Sequence, residues 1–98
     1  MIAEILHDYA KALRSLTPQL RAAFERRDLD GVGELAHRLK SSSRAVGARL
    51  LGQLFDDLEQ AVRQGDSAAL ARSMAEFTPL HDATATRIEQ LLEESTQA

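Results

Sequence analysis

Residues 36–48, AHRLKSSSRAVGA, hold one histidine, one lysine, two arginines and three consecutive serines, with no acid among them. Acid is absent all the way from Glu34 to Asp56, while Arg38, Lys40, Arg44 and Arg49 fall inside that interval. If the segment is helical, at roughly 100° per residue, Val32, Leu35, Ala36, Leu39 and Ser43 share one arc, and Val46 extends it. His37, Lys40, Ser41 and Arg44 share another arc, facing solvent. Lys40 at i+3 and Ser41 at i+4 flank the imidazole. A neutral imidazole is a competent nucleophile near pH 7, because its unperturbed pKa is about 6.5. A lysine one turn away offers a movable positive charge to a phosphoryl group. Small residues beside the histidine leave room for a bulky partner, and the local basic bias suits docking on an acidic or phosphorylated pocket. The same residues also fit a plain solvated helix face, and the small ones a close helix crossing.

The elements that must carry this strip can be read from punctuation and period. A first helix is expected over residues 2–15, with Ile2, Ile5, Leu6, Tyr9, Leu13 and Leu16 near one stripe. Thr17-Pro18 reads as an N-cap followed by a proline at the first helical position, opening a second piece over 18–27 with Leu20, Ala23 and Phe24 inward. Asp28 is the next cap. The histidine helix is expected over 29–45, weakened near its start by Gly31 and Gly33 and stopped by Gly47. Residues 48–64 form another helix, with Leu50, Leu51, Leu54, Phe55, Leu58, Ala61 and Val62 inward. Gly65-Asp66 closes it and caps the last pattern, which uses Leu70, Met74, Phe77, Ile88, Leu91 and Leu92. Thr78-Pro79 interrupts that pattern, giving either one helix kinked at Pro79 or two helices. Short connections between amphipathic helices imply antiparallel neighbours. The expected fold is therefore all-α: an antiparallel (up-and-down) four-helix bundle with an additional short N-terminal helix, forming one domain over residues 1–98.

Composition narrows the function. The net charge of −3 argues against a nucleic-acid partner by bulk electrostatics. The absence of cysteine removes disulfides, thiolate zinc sites and thiol catalysis. No apolar run approaches the roughly 18 residues of a membrane span and no signal-peptide pattern opens the chain, so no membrane contact and a cytoplasmic location are expected. His7 falls on the polar side of the first helix, and His81 is half-buried if the last helix is continuous. The histidines are too scattered for a metal motif, so no metal site is expected. Asp56, Asp57 and Glu59 read as a solvated acidic face.

The quoted segment resembles the signature of histidine-containing phosphotransfer (HPt) domains of bacterial multistep phosphorelays. That signature runs His-x-Leu-Lys-Gly-(Ser/Ala)-(Ser/Ala), then three varied residues and Gly-Ala. His37, Leu39, Lys40, Ser42, Ser43, Gly47 and Ala48 occupy the matching places. Leu51, Leu54, Leu58 and Glu59 look like the leucines and leucine-glutamate pair of the family's next helix, and the Gly65-Asp66 turn is also similar. One position departs: Ser41 stands where the family has glycine, and its hydroxyl could bond a phosphoryl oxygen or crowd an approaching partner.

The resemblance implies that His37 is a phosphoacceptor, using Nε2, and that Lys40 neutralises the phosphoryl oxygens. It casts Arg38, Ser41 and Arg44 as partner-facing. The implied partners are response-regulator receiver domains, with a hybrid sensor kinase in the same chain as a further option. No cofactor is implied, magnesium being held by the receiver. There is no glycine-rich phosphate loop for ATP, so the chain reads as a phosphocarrier rather than a kinase, and whether it counts as an enzyme stays open. Two alternatives stand beside this reading: the phosphorylatable substrate domain of a chemotaxis-type histidine kinase, and a helical adaptor that works without phosphorylation.

Overall fold

Three tight turns divide the chain, and each is set by local chemistry. The computed structural model describes residues 2–97, with side chains described over 3–94. The helices are α1 (Ile2–Glu25), α2 (Leu29–Ala45), α3 (Arg49–Gln64) and α4 (Ser67–Gln97). Asp28 caps α2 through Oδ1, which accepts from Gly31 N at 3.0 Å. Asp66 does the same for α4, accepting from Ala69 N at 3.0 Å. Gly47 (φ 77°) and Gly65 (φ 63°) take the left-handed conformation that ends α2 and α3, as their positions in the sequence led us to expect. The first turn does this with a side chain present: Arg27 sits at φ 59°, and Asp28 N closes the turn on Ala23 O at 2.9 Å.

The expected break at Thr17-Pro18 does not occur. Residues 2–25 form one helix with Pro18 inside it, so there are four helices and no additional short N-terminal one among the described residues. The apolar stripe explains this. Leu13, Leu16, Thr17, Leu20 and Ala23 are all buried on the same face, so packing continues on both sides of the proline and outweighs its lost backbone bond, a cost of about 3 kcal/mol. Pro79 is likewise internal to α4, of the two forms left open above. Phe77 before it and Ile88 after it are both buried.

Each helix packs against the next, and α1 also touches α4, so the four surround one core. Its centre holds Leu20, Leu39, Leu51, Phe55, Leu58 and Phe77. The Phe55 and Phe77 rings lie 5.8 Å apart at 56°, tying α3 to α4. Phe55→Ala should cost about 3–5 kcal/mol, a large share of the ~5–15 kcal/mol that holds a domain of this size; a urea denaturation series measures it. No described helix is long and apolar enough to cross a membrane.

Two expected core positions lie elsewhere. Leu50 is 70% exposed and Ile5 48%. Helix side chains lean toward the N-terminus, so Leu50, in the first turn of α3, leans past the end of that helix, beside an open groove that Leu80 and Ile88 also line. The expectation for Ile2 lies outside the described side chains.

Ser43 occupies the core arc of α2 although it is polar. Its hydroxyl meets Tyr9 Oη at 2.6 Å inside the core. Burial raises the Tyr9 pKa above 10.0, and the Ser43 bond only partly opposes it. This bond holds the histidine helix against α1. Tyr9→Phe leaves the Ser43 hydroxyl without that partner and should cost about 1–3 kcal/mol, readable as a lowered midpoint in the same denaturation series.

Candidate functional site

His37 stands on α2 with its side chain 63% exposed, yet it is not unattended. Its Nδ1 lies 3.3 and 3.2 Å from the two carboxylate oxygens of Glu59 on α3. The carboxylate can only accept, so Nδ1 carries the proton of this bond, and in the neutral ring Nε2 holds the lone pair. This partner contradicts the reading of Asp56, Asp57 and Glu59 as one solvated face. Glu59 is buried, Asp56 is half-buried, and only Asp57 faces solvent, accepting from Gln53 Nε2 at 3.0 Å. The signal was present in the sequence: Glu59 falls one turn after Phe55 and next to Leu58, on the apolar stripe of α3, where a carboxylate needs a partner.

Lys40 was expected on the solvent strip with a movable charge. The structure instead packs it between two carboxylates, with its side chain 15% exposed. Its Nζ donates to Glu59 Oε1 at 2.6 Å and lies 3.4 Å from Asp56 Oδ1. The bond to Glu59 raises the Lys40 pKa above 10.5, against some desolvation, and Asp56 adds to the rise. A second cation closes on the same carboxylate: Arg63, one turn further along α3, lies 3.6 Å from Glu59 Oε2. Burial pushes the Glu59 carboxyl upward, but the bonds from Lys40 and His37 outweigh it, and the net pKa falls below the ordinary 4.5.

The remaining predicted residues separate. Ser41 is exposed next to His37, but its Oγ donates back to His37 O at 3.3 Å. Ser42 bonds Arg38 O in the same way at 3.1 Å. Both hydroxyls are thus turned onto their own helix. Arg44 is exposed, and its stem crosses α3 at Gly52, where an added Cβ would come within 3.3 Å of Arg44 Cγ. Arg38 faces away from α3, along the groove between α1 and α2 with Pro18 and Ala22. The structure therefore gathers His37, Lys40, Ser41 and Arg44 near the α2–α3 seam and leaves Arg38 on the flank.

The other histidines do not join. His7 is exposed on α1. His81 is half-buried, its ring 5.5 Å from that of Phe77 and its Nδ1 3.1 Å from Asp82 Oδ1.

What the arrangement can do follows from its protonation. A neutral imidazole whose Nδ1–H is held by a buried carboxylate, on a side chain mostly open to solvent, can act as a nucleophile of defined tautomer through Nε2. Cations beside it favour an anionic electrophile. In the comparisons with known proteins, a family model described as "Hpt domain" matches residues 4–98. No curated protein and no solved structure matches the chain.

Proposed function

The chain belongs to the Hpt domain family, whose members carry out phosphotransfer in phosphorelays and interact with receiver domains, and from that premise we propose that His37 is its phosphocarrier residue. The observation that carries this reading is the Glu59 carboxylate on Nδ1, which leaves Nε2 as the nitrogen with a lone pair and open access.

In this reading Nε2 attacks the phosphorus of a receiver's aspartyl phosphate in line. The N–P bond forms as the P–O bond to the aspartate breaks, and the electron pair leaves with the receiver carboxylate. The Nδ1 proton stays in place. The ring therefore becomes cationic as it gains the phosphoryl group, and Glu59 is already beside it to balance that charge. Passing the group to another receiver aspartate reverses these steps, and the retained Nδ1 proton makes the imidazole a good leaving group. Catalysis of this kind is mostly positioning and charge neutralisation. Lys40 contributes a positive charge fixed one turn from the ring. Ser41 and Arg44 form the docking surface nearest the ring, and Arg38 its flank.

Connections of two or three residues between packed helices support an antiparallel up-and-down bundle as the scaffold. Magnesium belongs to the receiver in this scheme, this chain needs no cofactor of its own, and the reaction takes place in the cytoplasm.

The test is transfer of labelled phosphoryl from phosphorylated receiver domains. Label should appear on the chain, be lost in acid and kept in alkali, and map to the peptide that holds His37. Label that arrives only from an ATP-loaded kinase catalytic domain would favour the chemotaxis-type substrate domain instead. No label from either source would leave the non-phosphorylated adaptor.

A further inference from the structure

The two cations on Glu59 are held very differently. Lys40 is 2.6 Å from Oε1, has Asp56 as a second carboxylate at 3.4 Å, and is 15% exposed. Moving it would leave two acids short of a partner, one of them buried. Arg63 is 67% exposed and 3.6 Å from Oε2, longer than a good hydrogen bond. The arginine end of this pair is open to water and its separation is long, so the guanidinium is held more weakly than the Lys40 ammonium. Arg63 also shares its oxygen with the active ring: Glu59 Oε2 is 3.2 Å from His37 Nδ1.

We propose that Arg63 is a phosphoryl-binding residue: once His37 carries the group on Nε2, the guanidinium leaves Glu59 Oε2 for the phosphoryl oxygens, while Lys40 stays between Glu59 and Asp56. The inference rests on His37 being the phosphoacceptor. Charge accounting favours the exchange. Phosphorylation turns the ring into a cation against Glu59, so the carboxylate needs Arg63 least when the phosphoryl group, with about two negative charges, needs a cation most. The guanidinium fork matches two phosphoryl oxygens, which an ammonium does not. The competing role is structural. Arg63 lies in the last turn of α3, where any cation would favour the helix terminus and pair with Glu59. A lysine would serve those ends equally well.

The experiment phosphorylates the whole chain with phosphoramidate, a small donor that needs no receiver, and compares wild type, Arg63→Ala, Arg63→Lys and Lys40→Met. Nitrogen-detected NMR should show the Arg63 guanidinium signal moving on phosphorylation and the Lys40 ammonium signal holding its position. Phosphorus NMR should put the phosphoryl ionisation midpoint of Arg63→Ala above wild type by roughly half a pH unit or more, with Arg63→Lys between them, because losing a cation disfavours the dianion. Helix-end and ion-pair roles would not move that midpoint in Arg63→Ala while letting lysine restore it only in part. An unmoved guanidinium signal, or a midpoint that shifts in Lys40→Met and not in Arg63→Ala, overturns the assignment and leaves the His37 reading standing. A wild-type chain with no phosphohistidine signal removes both.

Discussion

His37→Gln should lose all transferable label while remaining folded. Glutamine's amide nitrogen has no available lone pair, so no N–P bond forms with a receiver's aspartyl phosphate. The side chain is mostly in solvent, and glutamine can still donate to Glu59, so stability should stay within about 1 kcal/mol of wild type. Receiver-to-chain transfer and thermal melting, measured on one preparation, separate lost chemistry from lost fold. If label persists in the variant, the carrier is His7 or His81. Neither has a buried carboxylate beside it: His7 stands in the open on α1, and His81 bonds an exposed aspartate.

Glu59→Gln should slow transfer by about tenfold to a hundredfold, the usual effect of removing the group that orients a functional histidine. The amide oxygen can still accept from Nδ1–H. It cannot balance the cationic ring that forms with the phosphoryl group, and it leaves Lys40 with Asp56 alone. The same substitution tests the electrostatics of the folded chain. The Glu59 pKa is lower in the folded state than the ordinary 4.5, so its carboxylate favours folding above the ordinary carboxylate range. That contribution disappears as pH falls through the lower, folded-state value. Wild type should therefore exceed Glu59→Gln in stability by about 1–3 kcal/mol at neutral pH. The gap should close on acidification, since a protonated glutamate resembles glutamine. Urea midpoints for both chains across pH 7 to 3 provide the check. A gap that stays constant into acid would mean that Glu59 is not held ionised by Lys40 and His37.

The sequence by itself determined what neighbours along the chain decide. Caps and left-handed glycines act within a few residues, so Asp28, Gly47, Gly65 and Asp66 marked three turns correctly. Period is also local, so Val32, Leu39 and Ser43 were legible as the inner face of α2 and His37 as part of its outer one. Tertiary structure decided whatever depends on a second helix. Pro18 and Pro79 carry the same local penalty wherever they occur, and only burial on both sides of each kept its helix whole. Ser43 was recognisable as inward-facing, but its reason for being polar is Tyr9, 34 residues away. The largest revision is at the site. A histidine with lysine at i+3 looks like a free cation beside a free ring, because a wheel carries only its own helix. Glu59, 22 residues from His37, became its partner only when α3 packed against α2. Burial then left one carboxylate to set the tautomer of the ring, fix the lysine and hold Arg63 loosely.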